Sequence, residues 1–241
     1  MKHLKLFNEM ANIVKTGKKL TINDKPLKDA TIEQLSENIL HWRLDKNSFL
    51  YKEGFTMVWF VDSDEAAKYL AANSDNLLFF PQKVGFTSSP ITDIWLRNKP
   101  AQKNIIGALE ASTFPDCIYI DMMSVRKGYM GNGINNMMIK FLIKEFPNAI
   151  LKFSEPTKDG LAFIKKYYPN AKIEGKIDDS DIEYILKKLK SGEENHLITD
   201  KDISIISAKI LDNPPKYGDY NKSSQYYRDV WAAMKEYALA N

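Results

Sequence analysis

Cysteine is nearly missing from this chain. Cys117 is the single example in 241 residues, so no intramolecular disulfide forms and no Cys-based zinc site has enough ligands. Because Cys117 lies inside a strand pattern, it reads as a buried, inert thiol. Histidine is scarce too: His3, His41 and His196 are scattered and lack any His-x-x-x-His partner. A metal centre or a Ser-His-Asp triad would then need a coincidence of folding, and none is expected. No apolar run approaches the ~20 residues of a membrane helix. The start, Met1-Lys-His-Leu-Lys-Leu-Phe-Asn-Glu9, has no uninterrupted apolar core of the kind a signal peptide carries. A cytoplasmic protein with no membrane partner is expected, and the Asn221-Lys-Ser223 glycosylation match then carries no meaning. A net charge of +3 is too small to specify nucleic acid. There are no repeats or low-complexity tracts, and no pattern specifies an oligomeric state. With 44% hydrophobic and 27% charged residues, the composition is that of an ordinary globular protein able to bury a substantial core.

Two common phosphate motifs are also absent. No Gly-x-x-x-x-Gly-Lys-Ser/Thr occurs, and the glycines at 128, 131 and 133 run Gly-x-x-Gly-x-Gly, the reverse of a dinucleotide fingerprint. What is present is a strand that ends in this glycine-rich, basic turn and continues into an amphipathic helix. Gly128, Gly131 and Gly133 let backbone N–H groups converge, because glycine tolerates positive φ and leaves room for a ligand against the main chain. Arg126 and Lys127 add mobile positive charge. Ile134, Met137, Met138, Phe141 and Leu142 follow helical spacing, so a helix N-terminus supplies further donors behind the turn. The plainer reading is a tight strand-to-helix connection. The flanks speak to the difference.

Upstream, Asn104-Ile-Ile-Gly-Ala-Leu-Glu-Ala-Ser112 and Cys117-Ile-Tyr-Ile-Asp-Met-Met-Ser-Val125 read as strands joined by a Thr113-Phe-Pro-Asp116 hairpin turn. Downstream, residues 149–154 read as a strand and 156–168 as a helix with Pro156 near its start. This order, with the motif, resembles the core of the GNAT N-acetyltransferase superfamily. The resemblance implies an α/β (α+β) fold: a mixed, mostly antiparallel central sheet flanked by helices. It also implies acetyl-coenzyme A as co-substrate, its pyrophosphate held by loop amides. Met123 and Val125 resemble the strand-end residues whose backbone pairs with the pantetheine arm. Gly131 and Gly133 occupy the two small positions of the loop, within a cofactor-binding set of Met123, Val125, Arg126, Lys127, Gly128, Met130, Gly131, Asn132, Gly133, Ile134 and Thr157. Gly128 stands where the family usually has Gln or Arg, so the cation passes to Arg126 or Lys127. Ala162, Phe163 and Lys166 resemble the family's second-helix segment, but Thr157 stands near the usual Asn and Ile164 where many members carry the tyrosine that protonates the thiolate.

By the same resemblance, an acceptor amine on a small molecule, protein or nucleic acid attacks the thioester lying between the strands ending near Val125 and beginning near Ala149. An ammonium of pKa about 10.4 needs a proton acceptor. Glu110 and Asp121 interrupt apolar runs and are the candidate bases, unless they merely face solvent. Tyr167 or Tyr168 is the candidate proton donor to the thiolate. A non-catalytic GNAT-like binding or assembly module, or a nucleic-acid-directed acyltransferase, are the rival readings.

Around this core of 51–175, residues 1–50 are expected to be helical, with helices over 4–14 and 31–42, the latter opened by a Thr31/Gln34 capping box. Residues 55–61 read as a buried strand, 63–72 as a capped helix, and 77–80 and 91–97 as strands. A C-terminal extension, 176–241, carries a helix over 179–190, a break over 212–219 and a final helix over 223–239. Tyr226, Tyr227, Val230, Trp231, Met234 and Tyr237 of that helix are expected to dock on the protein's own core.

Overall fold

Runs of β-branched and aromatic residues shape the N-terminal half, since such side chains fit a pleated surface better than a helix. The computed structural model describes residues 13–16, 19–22, 24–35, 38–43, 54–63, 67–68, 105–126, 128–192, 197–212 and 223–240. These belong to two compact units, Met1–Ala149 and Ile150–Asn241. The elements expected at 4–12, 77–80 and 91–97 and the break at 213–219 lie outside the described residues. Of the helix expected over 63–72, Ser63, Ala67 and Lys68 are described; the Ala67 N–H donates to the Ser63 carbonyl at 3.2 Å, and Ala67 and Lys68 are helical.

In the first unit, β1 (Ile13–Thr16), β2 (Lys19–Ile22) and β3 (Lys25–Pro26) form an antiparallel meander. A second set, β4 (Ile39–Arg43), β5 (Phe55–Val61), β6 (Ile105–Thr113) and β7 (Cys117–Val125), pairs antiparallel in chain order. The described residues of the N-terminal segment are therefore mostly strand, with one short 3-10 helix at Leu27–Asp29, and not the two α-helices expected. The Thr31/Gln34 capping box does form: the Thr31 N–H donates to Gln34 Oε1 at 2.8 Å and the Gln34 N–H to Thr31 Oγ1 at 3.3 Å. It closes a single turn. Asn38 Nδ2 then donates to the Val61 carbonyl at 3.1 Å, and Ile39 and Leu40 pair with Phe60 and Trp59. Burial of Ile39 and Leu40 beside β5 outweighs the local helical preference.

Helix α1 (Ile134–Glu145) buries Ile134, Met137, Met138, Ile139 and Leu142. Phe141, expected on the apolar stripe, is half-buried and meets the His41 ring edge-on at 5.4 Å, while Ile139 takes the core position. Gly107 on β6 admits the helix: a Cβ there would lie 2.6 Å from Ile134 Cγ2.

The second unit opens with β8 (Ile150–Phe153), helix α2 (Lys158–Tyr167) and β9 (Lys172–Ile173), with β8 and β9 parallel. Three helices follow: α3 (Asp179–Ser191), α4 (Asp200–Ile210) and α5 (Ser223–Ala240). Ile185, Leu189, Ile203, Ile206, Val230, Met234 and Ala238 form their shared core. Val230 and Met234 thus dock inward as expected, with Trp231 packed beside them. The fold is mixed α/β with mostly antiparallel strand pairing.

A buried ion pair ties β8 to α4. Lys152 Nζ donates to Asp202 Oδ2 and, at 2.6 Å, to the Leu197 carbonyl. Asp202 also accepts from the Gly175 N–H at 2.8 Å, the Thr199 N–H at 3.0 Å and the Thr199 hydroxyl at 2.9 Å. Burial alone would push this carboxyl up, but the bonds from Lys152, Thr199 and Gly175 outweigh it and hold it below its ordinary value. Asp202→Ala, which strands a buried ammonium, should cost about 3–5 kcal/mol in urea unfolding. Since the folded value is depressed, this contribution is complete above the unfolded value of about 3.9 and is lost as pH falls through the folded one. The variant's stability difference should accordingly shrink in acid, and a difference independent of pH would contradict the assignment.

Candidate phosphate-binding site

The motif from Met123 to Ile134 lies within the first unit, where each end of its loop is fastened to β6. At the front, the Arg126 N–H donates to the Ile106 carbonyl at 2.9 Å and Arg126 Nε to the Ile105 carbonyl at 3.2 Å. Its guanidinium is thus a positioned group, not the mobile charge expected. Burial lowers its pKa, opposed by Tyr129 and Asp62. At the back, Ile134 is 2% exposed and seated on Gly107, so its side chain belongs to the core and only its N–H faces the loop's chemistry. Lys127 lies outside the described residues.

Between these anchors the glycines do what the spacing predicts. Gly128, Gly131 and Gly133 have φ of 92°, 81° and 80°, the left-handed region that side-chain-bearing residues avoid. Gly133 is the N-cap of α1, no side chain caps this helix, and no acidic residue occupies its first turn. Among the described residues, no acceptor is found for the N–H groups of Gly131, Gly133 and Ile134. Such donors, with the positive end of the helix dipole, favour an anion. Met130 is 64% exposed, and among the described residues beyond its chain neighbours no atom lies within 4 Å of where a Gly131 Cβ would stand.

The structure gives Asn132, one of the expected loop residues, a structural role, and it adds Lys15, Leu20, Asp62 and Tyr129, which the sequence did not single out. Asn132 Oδ1 accepts from the Leu20 N–H of β2 at 2.9 Å, while its Nδ2 donates to the Tyr129 carbonyl at 2.9 Å. Asn132 is thus a clip that fastens the N-terminal meander to the loop. Lys15 Nζ sits 3.6 Å from the Tyr129 ring centroid, a cation–π arrangement. The Tyr129 hydroxyl donates to Asp62 Oδ2 at 3.4 Å. Burial raises the Asp62 pKa, against the pull of Tyr129, Lys15 and Arg126.

Met123 and Val125 are half-buried opposite Leu109 and Gly107 on β6, the side of the sheet that α1 covers. The register shifts between Glu110 and Ala111: Glu110 faces Met122, Ala111 faces Ile120, and Asp121 is the extra residue of a bulge. Bulges re-aim side chains and recur beside active sites. Glu110 stands between Met57 on β5 and Met122 on β7. It has no hydrogen-bond or ion-pair partner among the described residues, and burial raises its pKa.

In the second unit, Thr157 is the N-cap of α2, its hydroxyl accepting from the Gly160 N–H at 3.2 Å. Tyr167 is 48% exposed, whereas Tyr168 packs on Phe163 and Phe153 and burial pushes its phenol well above the ordinary range. Ile164 is 2% exposed. Ala162 and Lys166 are exposed. Cys117 is buried. Among the described residues, no group of three or more His, Cys, Asp or Glu side chains could hold a metal, and no helix is long and apolar enough to cross a membrane. No protein-family model, curated protein or solved structure matches this chain.

Backbone strain gives the loop a direct test. Gly131→Ala should cost about 1–2 kcal/mol, the penalty of a left-handed alanine. Gly133→Ala should cost more in the same urea titration, because its Cβ would also lie 3.0 Å from Lys28 Cβ. Equal costs would mean that Lys28 yields freely.

Proposed function

We propose that this chain is a GNAT-type N-acetyltransferase that moves an acetyl group from acetyl-coenzyme A to a primary amine by direct attack. The observation that carries the reading is the loop from Arg126 to Ile134: three left-handed glycines opening on an uncapped helix start, with no described atom beyond the chain neighbours within 4 Å of a Gly131 Cβ. Unsatisfied amides and a fixed guanidinium suit a diphosphate, each charge-assisted bond being stronger than a neutral one. The thioester supplies the activated acetyl group. The acceptor nitrogen forms the new C–N bond as the C–S bond breaks, and the nitrogen's surplus proton passes to a carboxylate. We assign the base to Glu110, whose proton affinity burial raises. A thiol of pKa about 8.5 leaves with little help.

One observation favours the non-catalytic alternative. Ile164, standing where many family members carry an acidic tyrosine, is part of the core. A protein that binds acetyl-coenzyme A yet acetylates nothing in a mass-spectrometric acceptor screen would be such a module.

Calorimetry with acetyl-coenzyme A tests the central claim: saturable binding by the wild type, and a loss of at least about tenfold for Gly131→Asp, whose carboxylate would occupy the phosphate ground. Absence of wild-type binding refutes the proposal. For turnover, Glu110→Gln should lower kcat by about 100-fold in a thiol-release assay. A base must be unprotonated, so the wild-type rate should climb as pH rises through the raised Glu110 value and level off above it. A variant retaining the wild-type rate and profile would remove Glu110 from the mechanism.

A further inference from the structure

The N-terminal meander reaches the glycine loop from a distant part of the chain, and it brings cations. Lys15 on β1 lies over the Tyr129 ring, and its Nζ is 3.7 Å from where a Gly128 Cβ would stand. Lys28, just beyond β3, abuts Gly133, with its Cα and Cβ 3.2 and 3.0 Å from the corresponding Cβ position. The two lysines therefore lie beside the first and the last of the three glycines. Both are exposed, and neither has an ion-pair partner among the described residues. An ammonium normally sits wherever hydration is best, but Lys15 is held by a ring that belongs to the loop itself, and the Leu20–Asn132 bond fixes the meander to the same loop.

We propose that the β1–β3 meander forms one wall of the anion site, and that Lys15 is a specificity-determining residue that contacts the phosphates of a polyanionic acyl carrier. Tyr129 acts as a shelf that aims the Lys15 ammonium across Gly128 toward Gly131, with Lys28 adding charge beside Gly133. This rests on the acyl-carrier reading of the loop and adds to it a recognition element that lies outside the strand-turn-helix motif. Charge, not shape, is the quantity Lys15 contributes.

Calorimetry with acetyl-coenzyme A on the full chain separates the two claims. Lys15→Gln should weaken binding about tenfold, Lys15→Arg should keep wild-type affinity, and the penalty of Lys15→Gln should diminish at high salt. Unchanged affinity in Lys15→Gln, with the wild type still binding, overturns the role of the meander and leaves the loop reading standing. Loss in both Lys15→Gln and Lys15→Arg marks a packing role and likewise overturns it. If the wild type fails to bind, the acyl-carrier reading falls and this inference falls with it.

Discussion

The close approach of α1 to β6 at Gly107 is the contact on which the site's geometry depends. Any side chain at that position would put its Cβ 2.6 Å from Ile134 Cγ2 and 3.3 Å from Met138 Cε, the first closer than real carbon contacts come, so the helix can lie this near the sheet only over glycine. The contact fixes the first residue of α1. One strand residue earlier, the Ile106 and Ile105 carbonyls hold Arg126 through its N–H and its Nε. Both ends of the glycine loop are thus pinned to three consecutive residues of β6. A short loop between such close anchors has few conformations to choose among, and the positive φ values at 128, 131 and 133 are how it closes.

Asp62 is the acid that the loop's own side chain engages. Asp62, at the end of β5, is half-buried beneath the Tyr129 hydroxyl, which donates to it at 3.4 Å. Burial raises its pKa, while the Tyr129 hydroxyl, Lys15 and Arg126 pull the other way. Lys15 and Lys28, both exposed, lie beside Gly128 and Gly133. A fully exposed carboxylate at the same place would weaken the field in front of Gly131. The Tyr129 side chain links the two halves of this arrangement, its hydroxyl turned to the acid and its ring face to the ammonium.

Local signals make much of this fold legible from the chain. The β6–β7 hairpin, α1, β8, α2, α3 and α5 arise from periodicity, Pro and Gly punctuation and charge order, all short-range features. Helix α4 has its own signature, Thr199 and Asp202 as a capping box ahead of Ile203 and Ile206, but its apolar pattern is short and easily passed over. The departure over 31–42 is more instructive: the capping box is legible and forms, yet pairing with β5 governs the residues beyond it. Hydrogen bonds between strands far apart in the chain leave no local trace. For the same reason the sequence gives no sign that Lys15 and Asp62 belong to the site. The clip that brings the meander to the loop joins residues 112 positions apart, and no short-range pattern announces it.

Helix starts in this protein show where stability is forgone. Thr157 caps α2, while Asp178 with Asp181 and Thr199 with Asp202 make reciprocal boxes on α3 and α4. Helix α1 has neither cap nor first-turn acid. An oxygen-bearing cap is worth about 1 kcal/mol over none, glycine recovering part of it, and a first-turn acid about 0.3–1 kcal/mol. The five buried apolar residues of α1 offset that deficit many times over, at about 1.5–3 kcal/mol for each fully buried side chain. Packing therefore carries the helix, and its N-terminal donors are free of structural duty. A capping side chain at residue 133 would compete for those donors, and the left-handed φ of 80° there suits glycine above all. The conformation that closes the loop on β6 is thus also the one that keeps the helix mouth unoccupied.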